Sequence, residues 1–137
     1  MNPLRRLFAG NGQLPAGLRA ELIGEGVLFL EEGLPGSITY RNYRRPRYRA
    51  GLGKRAIAGA IAVTPRRFVV WTVPGEMIDI ADGHPLRAAI SVRVEKPGQL
   101  CFSYRAEMLR PDRSGTVEVR LRTGQASQVD ALLTIGA

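Results

Sequence analysis

Residues 90–106 read ISVRVEKPGQLCFSYRA and residues 116–122 read TVEVRLR. In the first stretch Ile90, Val92 and Val94 alternate with Ser91, Arg93 and Glu95, and further along it Leu100, Phe102, Tyr104 and Ala106 alternate with Cys101, Ser103 and Arg105. Val117, Val119 and Leu121 repeat the pattern against Glu118, Arg120 and Arg122. A period of two puts every apolar side chain of a strand on one face, so each stretch predicts a strand with one dry and one wet face. Lys96-Pro97-Gly98-Gln99 supplies a tight hairpin connection, and Arg110-Pro111-Asp112-Arg113-Ser114-Gly115 a longer one.

Towards the N-terminus the strand reading continues more weakly. Residues 56–64 predict a small-residue strand, residues 68–73 another after the turn at Pro65, and residues 77–80 a short one closed by Asp82-Gly83-His84-Pro85. Residues 27–30 and 37–40 read as strands on either side of the turn-rich Glu31-Glu32-Gly33-Leu34-Pro35-Gly36, a hairpin or a bent pair. Between them and residue 56, Pro46, Gly51 and Gly53 predict an exposed connection. Residues 17–24 place Leu18, Leu22 and Ile23 at helical spacing, and residues 1–16, with Asn11-Gly12 and Pro15, read as a loose N-terminal segment ahead of one domain over residues 17–137. At the other end Val129, Leu132 and Leu133 fall at i, i+3 and i+4, so residues 125–133 predict an amphipathic helix with Thr123 or Ser127 as N-cap and Gly136 as its stop. The expected fold is all-β with a C-terminal helix, a bent antiparallel sandwich or partly open barrel of seven to eight strands. The absence of strand-helix alternation argues against a doubly wound nucleotide fold.

Composition narrows the classes. A chain of 137 residues buries about 68% of its unfolded surface, enough for an ordinary core without disulfides or metal. One Cys and one His make neither an internal disulfide nor a structural zinc site of usual composition, so a reducing compartment and no metal are expected, with Cys101 a small buried hydrophobe. Leu7-Phe8-Ala9 is too short for a signal-peptide core, and the apolar run over residues 56–63 is well below the ~18 residues that span a bilayer. A bacterial-type cytoplasmic location follows, or a peripheral one at the inner membrane surface.

The net charge of +8 is concentrated in one segment. Residues 41–55 hold seven bases (Arg41, Arg44, Arg45, Arg47, Arg49, Lys54 and Arg55) and no acid, leaving 13 bases against 12 acids elsewhere. As a basic loop this cluster predicts an anion-binding surface: seven like charges repel, and a polyanion relieves the repulsion while releasing counterions. The competing expectation is a solvated, partly disordered loop whose charges pair with Glu31, Glu32, Glu76 or a neighbouring subunit. Tyr40, Tyr43 and Tyr48 interleave with the bases, which suits base stacking, interfacial anchoring or packing at the loop base.

Residues 59–71, GAIAVTPRRFVVW, form a strand ending in Thr, a turn with two basic residues, and a second apolar strand. This pattern resembles the strand-turn-strand of bacterial pleckstrin-homology-like and GRAM domains, and with the all-β order the resemblance extends over residues 21–133. It implies a strongly bent seven-stranded sheet capped by a C-terminal helix, and a non-enzymatic binding or scaffolding module that contacts anionic lipid headgroups or an acidic partner through its loops. The first hairpin carries Glu31 and Glu32 where phosphoinositide-specific members carry spaced bases, so the implied contact is not a specific inositol-phosphate site. A nucleic-acid-binding protein and a protein-interaction domain without an anionic ligand are the alternatives.

Other motifs carry less. The spacing of Arg41, Arg45 and Arg49 matches the first half of a PilZ-type motif, but the nearest second half, Asp112-Arg113-Ser114, has Val117 where Gly is required. His84 stands alone in a turn, Trp71 has apolar neighbours and reads as core, and Cys101 shares the register of Ser103 and Arg105, partly exposed or under the helix. Glu76, Asp79 and Asp82 match no calcium-loop spacing. No Walker loop, dinucleotide fingerprint or nucleophile elbow is present, so neither catalysis nor a cofactor is expected.

Overall fold

A computed structural model of the chain describes residues 12–73 and 77–135. In chain order the elements are helix α1 (Ala16–Glu25), strands β1 (Phe29–Arg45), β2 (Tyr48–Val63), β3 (Arg67–Val73) and β4 (Met77–Ala81), a 3-10 helix (Pro85–Ala89), strands β5 (Ser91–Lys96) and β6 (Gln99–Arg105), the one-turn helix α2 (Ala106–Leu109), strand β7 (Ser114–Arg122) and helix α3 (Ala126–Ile135). All seven strands join one antiparallel sheet in the order β4-β3-β2-β1-β7-β6-β5. The edge strands β4 and β5 do not pair with each other, so the sheet curls into an open half-barrel rather than splitting into a sandwich.

The concave face holds the main core. Ile38, Ile61, Phe68, Leu100, Phe102, Val117, Val119 and Leu121 meet there, and α3 closes the trough with Val129 and Leu133. Thr123 accepts the Gln125 N–H at 3.0 Å at the entry to α3, and the expected stop at Gly136 lies outside the described residues. A second cluster sits on the convex face, where Leu14, Leu18 and Leu22 cover Ala60, Ala62, Val69 and Trp71. Both faces of β2 and β3 are thus buried there, which is why residues 68–71 are apolar without a break. The small side chains of Ala60 and Ala62 let α1 approach the sheet, while Ile57, Ile61 and Val63 fill the concave side.

α1 runs past the expected end at Gly24 and stops at Gly26, which takes a left-handed φ of 89° and returns its N–H to the Ile23 carbonyl. The described part of the N-terminal segment is not loose. Leu14 is buried and its N–H reaches Glu32 at 2.9 Å, and the Gly12 carbonyl accepts from the Gly33 N–H; residues 1–11 lie outside the described residues.

Two expectations are corrected. Residues 31–36 are not a turn: β1 runs straight through them, absorbing a bulge between Glu31 and Leu34 with Gly33 at a φ of 71°. Nor are residues 41–55 a loop; they form the far end of the β1–β2 hairpin, paired from Arg41↔Leu52 to Arg45↔Tyr48. Extended pairing overrides Gly and Pro signals here because Pro46 occupies the turn, where no ladder N–H is needed. The 3-10 helix and α2 span only five and four residues, too short to show a period in the sequence.

Candidate functional site

The seven basic residues singled out above all lie on the β1–β2 hairpin. Arg41, Arg44 and Arg45 are on β1, Arg47 is in the turn, and Arg49, Lys54 and Arg55 are on β2. β7 supports β1 as far as Arg44↔Ser114, whereas β3 leaves β2 at Ala58↔Val73. The arm is therefore held along one flank and open along the other among the described residues. Arg44 and Arg49 stand directly opposite each other, a like-charge pair that a hairpin does not choose for stability. Arg47 sits at a φ of 64°, a left-handed position that costs a non-glycine residue about 1–2 kcal/mol.

Aromatic rings stiffen the base of the arm. Residues three apart in a regular strand face opposite sides, yet the rings of Tyr40 and Tyr43 are 4.6 Å apart. The left-handed φ of 52° at Asn42 rotates the strand between them, and Gly115 leaves room for that bulge: a Cβ there would come within 2.4 Å of the Asn42 carbonyl oxygen. Tyr48 continues the series 6.1 Å from Tyr43, and the Arg45 guanidinium lies 4.8 Å over its ring. Arg55 lies 5.8 Å over Tyr40 and donates to its hydroxyl at 3.3 Å. A cleft of about 190 Å³ opens among Tyr40, Tyr43, Arg45, Tyr48, Lys54 and Arg55.

The arm's charge is not neutralised within the molecule. Only Arg41 has a carboxylate partner among the described residues, with Nε 2.7 Å from Glu118; Arg44, Arg45, Arg47, Arg49, Lys54 and Arg55 have none. The expected partners are engaged elsewhere. Glu32 binds Arg19 Nε at 2.9 Å and Glu31 accepts from the Thr123 hydroxyl, while Glu76 lies outside the described residues. Of the three tyrosines, Tyr40 and Tyr43 are buried, but Tyr48 is 44% exposed, and Leu52, further along β2, is 70% exposed.

Arg41 belongs to a polar lattice on the wet face of β5, β6 and β7. Arg120 donates to Glu95 at 2.7 Å, to Glu118 at 3.2 Å and to Thr39 at 3.2 Å, and Arg93 donates to Glu95 at 3.1 Å. Hydrogen bonds from Arg120, with help from Gln99 and Arg93, hold Glu95 at about 2, well below its ordinary 4.5. The Arg41 hydrogen bond chiefly lowers Glu118 as well. Both folded values lie below the unfolded one, so this stabilisation is complete above the unfolded value and is lost as pH falls through the folded one. Urea stability should stay level down to about pH 5 and then fall between 4.5 and about 2. Glu95→Gln should flatten that acid limb, and an unchanged limb would mean the lattice does not set acid stability.

The remaining candidates have structural roles. Cys101 is fully buried beneath this lattice, between its cross-strand neighbours Arg93 and Arg120, and burial pushes its thiol up, away from a nucleophile. His84 Nδ1 accepts the Leu86 N–H at 3.0 Å and caps the 3-10 helix. Asp79 binds Arg67 at 2.8 Å, and Arg67 also reaches Glu21 and Glu25, tying α1 to the sheet. Trp71 packs in the convex cluster rather than the main core. Among the described residues no group of three or more His, Cys, Asp or Glu side chains could hold a metal ion, and no helix is long and apolar enough to cross a membrane. The sequence reading missed the Arg–Glu lattice, although its members are the wet-face residues of the three clearest strands; only their cross-strand register was hidden. Set against known proteins, the chain matches no family model, no curated sequence and no solved structure, so the chemistry of the hairpin has to carry the functional argument.

Proposed function

We propose that this chain is a non-enzymatic, pleckstrin-homology-like binding module whose β1–β2 hairpin docks on anionic lipid headgroups at a membrane surface. The observation that carries the reading is a paired hairpin arm with six bases that have no carboxylate partner among the described residues. The four-strand meander followed by a three-strand meander and a terminal helix supports the pleckstrin-homology-like assignment. Each base at an anionic surface contributes about 1 kcal/mol, so four engaged residues give about 4 kcal/mol. Exposed Tyr48 and Leu52 beside them add an apolar and an amphipathic group suited to the headgroup layer. Single-stranded nucleic acid is a poorer fit, because stacking needs accessible rings and two of the arm's three tyrosines are buried.

Sedimentation with neutral and anionic vesicles at two salt concentrations, with a short oligonucleotide as competitor, tests this. Binding to anionic vesicles alone, weakened by salt and resistant to the competitor, is the expected result. Displacement by the oligonucleotide would transfer the arm to nucleic acid, and no binding to either would overturn an anionic ligand altogether.

A further inference from the structure

The other end of the β1–β2 pair, where β2 ends and β3 begins, carries a second cleft of about 190 Å³. It opens between α3, the 3-10 helix and the β2–β3 turn, and its walls include Leu28, Val63, Phe68, Ile80, Leu132 and Leu133. Two guanidinium groups also line it, and their surroundings differ. Arg67 is neutralised by three carboxylates, Glu21 at 3.3 Å, Glu25 at 2.9 Å and Asp79 at 2.8 Å.

Arg87 has no carboxylate partner among the described residues. Its guanidinium lies 5.3 Å over the Phe68 ring and donates to the Ile90 carbonyl at 3.2 Å and the Leu133 carbonyl at 2.9 Å. An arginine has five N–H donors, so more than half remain for another acceptor. The carbonyl at the end of α3 carries only a partial negative charge, which leaves most of the positive charge unbalanced. Partial burial alone pushes the Arg87 pKa down, as expected of a cation partly withdrawn from water without an anion beside it. Asp82, the acid in the lining, is exposed and makes no ion pair with Arg87.

We propose that this cleft binds a small apolar carboxylic acid, its carboxylate on Arg87 and its hydrocarbon against Phe68, Ile80 and Leu132. A carboxylate supplies the missing charge and accepts the unused donors in the forked geometry that guanidinium favours. The volume is below the ~300–1,000 Å³ of drug-sized sites, so the occupant is a short chain or single ring rather than a long acyl chain. The site is separate from the arginine hairpin and does not depend on the membrane reading.

Titration of the full chain with octanoate, octanol and octylamine, followed by amide NMR shifts, tests the proposal. Saturable octanoate binding that shifts residues of α3 and the β2–β3 turn, about tenfold or more tighter than octanol, with no octylamine binding, is the expected outcome. Arg87→Met should bring octanoate down to the level of octanol. Because Arg87 also holds the end of α3, Ala81→Phe serves as a second variant that fills the cleft and keeps the guanidinium; it should abolish octanoate binding. Equal binding of octanol and octanoate, no octanoate binding, or octanoate binding indifferent to Ala81→Phe, as for adsorption on the hairpin, would each overturn it.

Discussion

Replacing Arg44, Arg45, Arg47 and Arg49 together with Ser is expected to weaken association with anionic vesicles about a thousandfold while the domain stays folded. Four bases at about 1 kcal/mol each amount to about 4 kcal/mol, and each 1.4 kcal/mol is a factor of about ten. Folding should tolerate the change because these side chains are exposed and make no described ion pair. It also removes the Arg44 and Arg49 pair that face each other across the hairpin. Arg41→Gln gives the contrasting result. Its guanidinium is held by Glu118 at 2.7 Å, so its loss should lower stability and leave vesicle binding close to that of the parent protein. Vesicle sedimentation beside urea denaturation separates the two effects. Undiminished binding by the quadruple variant would remove the hairpin from the function, and a large binding loss in Arg41→Gln would show that the docking surface extends onto the sheet.

That contrast marks how far the candidate site was legible. The charge cluster is local, so composition found all seven residues; its conformation was misread because hairpin pairing, from Arg41 with Leu52 to Arg45 with Tyr48, runs up to a Pro46 that reads as a breaker and past Gly51 and Gly53. Arg41 looked like its neighbours because its partner, Glu118, is 77 residues away. The second cleft was invisible for the same reason, with Arg87 donating to a carbonyl 46 residues on. Strands β5, β6 and β7 were readable because apolar and mostly polar side chains alternate along each of them, whereas β2 and β3 lose alternation where α1 covers their outer side. The long β1 was read as two strands because Gly33 and Gly36 are turn residues by composition. Inside β1, Gly33 instead makes a bulge and Gly36 permits a close approach.

Gly36→Ala tests that last point and should be among the most damaging single-methyl changes in the chain. A Cβ at Gly36 would lie 1.9 Å from the Arg120 carbonyl oxygen and 3.0 Å from Leu121 Cδ2. Backbone cannot yield as a flexible side chain would. β1 is also clamped on both sides at this residue, pairing with Ile57 of β2 and Leu121 of β7. Leu121 in turn already occupies the space over Gly59 of β2, where an added Cβ would meet its Cδ2 at 3.0 Å. Ordinary overpacking costs about 1–3 kcal/mol; a collision with a carbonyl in a doubly paired strand should reach or pass the top of that range, a large share of a total stability of about 5–15 kcal/mol. Gly17→Ala is the control, a helical position with nothing within 4 Å of the added carbon, where a gain of about 0.5–1 kcal/mol is expected. If Gly36→Ala unfolds within about 1 kcal/mol of the parent protein, the tight β1–β7 approach at this residue is wrong.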